Sequence, residues 1–267
     1  MKFKAAIIQL NSGSNKAENL TKTEKFILEA SGQQAQFIAL PEVFNLRGAD
    51  GAEDLHSGES IQLIRKLASQ NQVWILAGSL MVKALDDSGL PYNTSLLISP
   101  EGEITATYKK IHLFDMTQGA TQIRESDRNQ SGNSPEIANL NIDNVDMKLG
   151  MSICYDLRFP ELYRNYATER VELITVPSAF THYTGEAHWQ LLCRARAIEN
   201  QAYVIAPDQC GAGGQVRSYG HSLIVDPWGQ VLAEASGDQE EIIYADIDLD
   251  RLKEIRSKLP VLEHRKL

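Results

Sequence analysis

Cysteine is scarce in this chain: 267 residues hold Cys154, Cys193 and Cys210 and no others. They show neither CxxC spacing nor an accompanying His pair, which argues against a disulfide framework and against a zinc site. Basic charge is also short, with 26 Lys and Arg against 35 Asp and Glu, a formal net charge of -9. That balance disfavours nucleic acid as a partner, because phosphate neutralisation needs clustered cations. No apolar run approaches the roughly 20 residues of a membrane span. The opening Met1-Lys2-Phe3-Lys4 runs straight into a strand-like Ala5 to Leu10, too short for the apolar core of a signal segment. The expectation is a cytoplasmic protein that binds no membrane. No Pro/Ser-rich linker divides the chain, and 43% hydrophobic content suffices for one large α/β core, so residues 1–267 read as one domain.

What is present is an alternation of periods. Strand-like runs at 3–10, 36–40 and 73–80 are separated by helical patterns at 16–31 and 60–71, a βαβ signal. Two β-prone stretches, 94–98 and 104–108, flank Pro100-Glu101-Gly102 and read as a hairpin. A polar segment from about Asp115 to Ser134 reads as a long loop of the functional or mobile kind. The second half predicts strands near 149–153, 172–176 and 202–206, helices at 160–168 and 186–200, a hairpin around Asp226-Pro227-Trp228-Gly229, and a closing strand at 242–247.

Three of these strand ends carry chemistry. Gly150-Met151-Ser152-Ile153-Cys154-Tyr155-Asp156 places a thiol where an apolar run breaks into a Pro-stopped turn. Taken alone, Cys154 reads as a small buried hydrophobe, the usual fate of an unpaired cysteine. Phe37-Ile38-Ala39-Leu40-Pro41-Glu42 ends another apolar run with an acid just beyond it, and Tyr108-Lys109-Lys110-Ile111-His112 ends a third with two lysines. Singly, Glu42 and Lys110 could be solvated surface charges. Together a Cys, a Glu and a Lys at strand ends that share a crevice supply nucleophile, base and oxyanion stabiliser, the set that amide hydrolysis requires.

Through Leu40-Pro41-Glu42, Tyr108-Lys109-Lys110-Ile111-His112 and Ile153-Cys154-Tyr155-Asp156-Leu157-Arg158-Phe159-Pro160-Glu161, the chain resembles the nitrilase superfamily of carbon-nitrogen hydrolases. The likeness continues through Pro177-Ser178-Ala179-Phe180, Ala187-His188-Trp189, Arg194 to Glu199, Tyr219-Gly220-His221-Ser222 and Asp226-Pro227-Trp228-Gly229, and so covers nearly the whole chain. Within the superfamily it looks most like the deaminated glutathione amidases, on Arg158 to Leu162, Asp208-Gln209-Cys210-Gly211 and Leu259 to Arg265. The resemblance implies a four-layer α-β-β-α sandwich, where periodicity alone gives only α/β with hairpins. It also implies that Glu42, Lys110 and Cys154 form a triad, with Glu125 as a second glutamate, and that no cofactor or metal takes part.

The implied reaction begins with Glu42 taking the Cys154 proton and sulfur attacking an amide carbonyl. Lys110 and the Tyr155 N–H would hold the oxyanion, and water oriented by Glu42 and Glu125 would open the resulting thioester. The products are a free acid and ammonia or an amine, according to the bond cleaved. The substrate expected is a small α-keto acid amide, foremost deaminated glutathione; alternatives are α-ketoglutaramate, a nitrile, or a nonhydrolytic scaffold that binds a partner. Arg158 is the nearest cation for a substrate carboxylate, its alternative being a salt bridge to Asp156 or Glu161. Phe180 and Thr181 would line the pocket. His188 reads as a packing or capping residue, and His112, His182 and His221 have no spacing that compels a metal or triad role. Relatives pair through helices after the nucleophile and through the C-terminal tail, so a homodimer or higher homo-oligomer is expected, with residues 248–267 in its interface. The Tyr163 and Tyr166 face suits that contact or packing within one subunit.

Overall fold

The computed structural model describes residues 1–84, 89–119, 121–213 and 216–266. In chain order the first half holds β1 (Lys2–Gln9), α1 (Lys16–Gly32), β2 (Phe37–Ala39), α2 (Glu59–Asn71), β3 (Trp74–Leu76), β4 (Leu80–Val82), β5 (Tyr92–Ile98), β6 (Ile104–Lys109), β7 (Asp115–Gln118) and β8 (Thr121–Arg124). The second half holds β9 (Glu136–Ile142), β10 (Val145–Met151), a 3-10 turn (Cys154–Arg158), α3 (Pro160–Thr168), β11 (Leu173–Thr175), α4 (His182–Asn200) and β12 (Tyr203–Ala206). It closes with β13 (Ala212–Gly213), β14 (Val216–Arg217), β15 (Leu223–Val225), β16 (Val231–Glu234), β17 (Glu241–Asp248) and α5 (Leu249–Lys258).

The strands form two main sheets. One runs β17-β1-β2-β3-β5-β4 with β6 paired to β5; the other runs β16-β15-β12-β11-β10-β9. Strands β1, β2 and β3 are parallel, as are β10, β11 and β12, while both sheets have antiparallel margins. β17 returns the chain to the first sheet by pairing along all of β1.

The period-2 alternation of strand side chains explains the layers. Phe3, Ala5, Ile7, Phe37, Ala39, Trp74 and Leu76 join Leu140, Leu149, Met151 and Leu173 of the other sheet in one buried cluster. Their neighbours Ala6, Ile8, Ile38 and Ile75 face the other way, onto Leu20 and Ile27 of α1 and Ile61, Ile64 and Leu67 of α2. Tyr163 and Tyr166 of α3 and Trp189 and Cys193 of α4 complete the first cluster from beyond the second sheet. The order is helices, sheet, sheet, helices, the four-layer α-β-β-α sandwich.

Several boundaries differ from the sequence reading. The segment 115–134 is not wholly loop: β7 and β8 pair antiparallel within it. β10 begins at Val145, joined to β9 through Asp143 and Asn144, both at positive φ (51° and 63°), the backbone a two-residue hairpin turn requires. α4 starts at His182 because Thr181 caps it, its side chain accepting from Thr184 N. The Tyr163 and Tyr166 face does not meet another copy. Both rings are fully buried in their own subunit, Tyr163 Oη 2.9 Å from Ser152 Oγ and Tyr166 Oη donating to Met151 O. The start of the tail forms α5, whose Leu249, Leu252 and Ile255 are buried.

Candidate active site

Glu42, Lys110 and Cys154 follow the ends of β2, β6 and β10 by three, one and three residues, so strand ends of both sheets deliver them to one rim. The backbone there is held in conformations that ordinary residues avoid. Cys154 sits at φ +46°, fixed by its own N–H donating to Pro177 O at 2.9 Å and by Ile153 N donating to Asp156 Oδ2 at 2.8 Å. Val43, next to Glu42, has φ +51°, unusual for a β-branched residue and the kind of strain found at functional sites.

The three side chains are almost wholly buried. Lys110 Nζ lies 2.8 Å from Glu42 Oε1 and 2.8 Å from Glu125 Oε2, so one ammonium bridges two carboxylates. Two of its three donors are thereby engaged, leaving one for another oxygen. Glu42 Oε2 accepts from Ala179 N at 2.8 Å, and Asn93 Nδ2 donates to Glu42 Oε1 at 2.8 Å and to Glu125 Oε1 at 3.2 Å. Glu125 Oε2 also accepts from Phe114 N at 2.6 Å.

Electrostatics follow from this packing. Burial pushes the Cys154 thiol up and the Glu42 charge pushes it further, overriding the opposing pull of Lys110, so the resting thiol keeps its proton. Burial works against the Lys110 ammonium, but the charges of Glu125 and Glu42 outweigh it and hold the group well above its ordinary range. Burial likewise raises Glu125, yet Lys110 and the donated hydrogen bonds hold its carboxyl below the usual range. The site is therefore built around a fixed positive charge and a neutral thiol with a carboxylate beside it.

Cys154 opens onto a narrow cleft lined by Phe114, Tyr155, Arg158, Ala179, Phe180, Thr181 and Thr184. Every binding residue expected from the sequence, Tyr155, Arg158, Phe180 and Thr181, is in that lining. The Tyr155 N–H, in the first turn of the 3-10 segment, has no acceptor within that turn. Arg158 makes a salt bridge to neither Asp156 nor Glu161; its Nη1 is 3.1 Å from His188 Nδ1. Its guanidinium stands 5.2 Å from the Phe180 ring centroid and 5.7 Å from that of Tyr155. His188 thus neither caps nor packs α4 but points its ring at Arg158. Among the described residues no group of His, Cys, Asp and Glu has the arrangement to hold a metal ion.

Sequence reasoning missed Asn93, the Ala179 N–H, Asp156, Phe114 and Thr184. Asp156, two residues beyond Cys154, carried a usable signal, being an acid between Tyr155 and Leu157 directly after an apolar run. Asn93 carried none, because its role depends on β5 lying beside β6.

The chain is similar to known proteins over nearly its whole length. The family model for carbon-nitrogen hydrolases matches residues 4–257. The chain is 41% identical over 272 residues to the deaminated glutathione amidase of Dictyostelium discoideum, covering 97% of this chain and 92% of that one. It is 40% identical over 272 residues to the omega-amidase NIT2 of Homo sapiens, covering 99% and 95%. Saccharomyces cerevisiae Nit3, of branch 10 of the nitrilase superfamily, superposes with a TM-score of 0.88 at 31% identity, covering 100% of this chain and 97% of that one. The C. elegans NitFhit protein superposes at 0.87 with 36% identity, covering 99% of this chain and 65% of that longer one. A match spanning nearly every element, from β1 into α5, shows that this chain belongs to the carbon-nitrogen hydrolase family of the nitrilase superfamily and is a hydrolase of the amidase kind.

Proposed function

We propose that the protein hydrolyses the amide bond of a small α-keto acid amide, deaminated glutathione foremost, through a thioester on Cys154. The observation that carries the substrate class is Arg158: a guanidinium with no carboxylate partner among the described residues lines the same cleft as the nucleophile. An uncompensated guanidinium is a ready anchor for a carboxylate, which it can take bidentately. Deaminated glutathione and α-ketoglutaramate both present one. Relatives named deaminated glutathione amidase and omega-amidase lie at similar identity, which keeps an ω-amidase acting on α-ketoglutaramate as the second reading.

In this reading Glu42 accepts the thiol proton as Cys154 Sγ adds to the amide carbonyl. The remaining Lys110 donor and the Tyr155 N–H take up the oxyanion, each worth about 3 kcal/mol in the transition state. Collapse of the adduct breaks the C–N bond, and Glu42 returns the proton to the leaving nitrogen, which departs as the dipeptide amine or as ammonia. Glu42 then deprotonates water for attack on the thioester, Glu125 fixing Lys110 and the water beside it. The acid leaves and the thiol is restored.

The same reading makes the enzyme a cytoplasmic homodimer or higher homo-oligomer. It is supported by three free, buried cysteines and by the exposed Tyr183, Leu191 and Ile198 of α4 and the exposed Trp228. No helix among the described residues is long and apolar enough to cross a membrane.

The test is release of free α-ketoglutarate, the acid common to both substrates, with Cys154→Ala run in parallel. A kcat/KM for deaminated glutathione at least about tenfold above that for α-ketoglutaramate, or about 1.4 kcal/mol, supports the first reading. The reverse order supports the second. No acid from either overturns both.

A further inference from the structure

The contact between Arg158 and His188 has a feature that packing alone does not require. A guanidinium carries only donors, so at 3.1 Å from Arg158 Nη1 the imidazole Nδ1 must be the acceptor. The ring is then neutral, with its proton on Nε2. His188 lies one turn beyond Thr184 on α4, and Thr184 lines the cleft; residues four apart share a helix face. The imidazole therefore reaches Arg158 from the cleft side of α4, while the Phe180 and Tyr155 rings flank the guanidinium from the strand loop and the nucleophile turn.

A carboxylate at the same place would also orient the arginine, but it would quench the charge in doing so. Asp156, the acid nearest in sequence to Arg158, is held elsewhere by Tyr108 Oη, Ile153 N and His112. The arrangement fixes the direction of Arg158 with a neutral acceptor and two aromatic faces and leaves its positive charge unspent.

We infer that His188 is a positioning residue for substrate selection: it aims the Arg158 guanidinium across the mouth of the Cys154 cleft without neutralising it, so that the enzyme selects amides bearing a carboxylate. This rests on the reading of Arg158 as the carboxylate anchor.

The experiment uses two alkylating agents of nearly equal size, iodoacetate and iodoacetamide, on the full-length protein. Peptide mass mapping assigns the modified residue to Cys154. The ratio of the two rate constants reports the cation at the cleft mouth independently of the natural substrate. Arg158→Leu is expected to lower the iodoacetate to iodoacetamide ratio by about threefold or more, the scale of one partly exposed charge contact. His188→Leu, which removes the acceptor without adding charge, is expected to lower it as well. His188→Asn, whose amide oxygen can replace Nδ1 without charge, is expected to retain it. His188 is exposed, so thermal melts of its variants should match the parent.

If Arg158→Leu leaves the ratio unchanged, the anchor reading itself fails. If Arg158→Leu lowers it and His188→Leu does not, or if His188→Asn falls as far as His188→Leu, the anchor stands and the role of His188 as its acceptor is overturned.

Discussion

His112 Nδ1 lies 2.7 Å from Asp156 Oδ1, joining the residue two beyond Lys110 to the residue two beyond Cys154. The same carboxylate accepts from His112 N at 3.0 Å through Oδ1, and from Ile153 N at 2.8 Å and Tyr108 Oη at 2.7 Å through Oδ2. Burial first, and the Asp156 charge with it, push the Tyr108 hydroxyl far above its ordinary range, so it remains a donor. Each carboxylate oxygen thus faces a backbone N–H. Asp156→Asn can satisfy neither orientation, because its NH2 must oppose one of those donors. We predict a loss of about 2 kcal/mol or more, read from the urea midpoint, together with a fall in kcat at little change in KM. His112→Phe keeps the stack on Phe159, now at 3.6 Å between centroids, and should cost less than about 1 kcal/mol. Equal losses in the two variants would refute the clamp.

The Glu42 charge has a consequence for thiol reactivity that runs against the role of base proposed for it. After burial, that charge is the largest lift on the Cys154 thiol, while Lys110 pulls it down. Glu42→Gln removes the base and the repulsive charge together, leaving Lys110 to act on the sulfur. The thiol then ionises at lower pH, so at any pH below its midpoint more thiolate is present. Amide turnover should fall about 10³-fold, the scale of lost acid–base catalysis. Alkylation of Cys154 by iodoacetamide at pH 8 should instead rise, by about threefold or more. A parallel fall in both rates would show that Glu42 is needed to ionise the thiol even for a strong electrophile.

That Glu42, Lys110 and Cys154 share one rim was legible because each stands where an apolar run stops, at Pro41, at Lys109 and at the turn after Ile153. Strand and helix alternation carried the layers for the same reason: buried parallel strands such as Phe37–Ala39 read as short apolar runs. Contacts made across the fold left no such trace. Asn93 touches both glutamates only because β5 is the strand beside β6, and the Ala179 N–H reaches Glu42 only because the two sheets meet at one rim. Helix α5 was readable in principle, with Asp248 capping and Leu249, Leu252 and Ile255 on one face. Its high charge made it look like a tail. The Asp143-Asn144 turn escaped notice because it lacks the glycine that usually marks such hairpins.

Gly78 fixes the segment that carries Glu42. Its φ is +43°, and a Cβ there would stand 2.0 Å from Pro41 O and 2.5 Å from Leu40 O, closer than any real contact. The following residue continues the tie: Ser79 N donates to Pro41 O at 3.3 Å, and Val43 N donates to Ser79 Oγ at 3.2 Å. Gly78→Ala must therefore move the Leu40-Pro41 carbonyls, and with them Glu42 relative to Lys110, whose contact leaves no slack at 2.8 Å. We predict a stability loss of about 2 kcal/mol or more and a fall in kcat beyond what the folded fraction explains. Gly89 is the control: its φ is +76°, but no described residue lies within 4 Å of the added carbon. Gly89→Ala should cost only backbone strain, about 1 kcal/mol, and leave turnover of the folded enzyme as it was. Denaturation midpoints set beside kcat/KM for the two variants separate the effects. Loss of stability without loss of rate in Gly78→Ala would mean that the Pro41 segment yields while Glu42 stays in place.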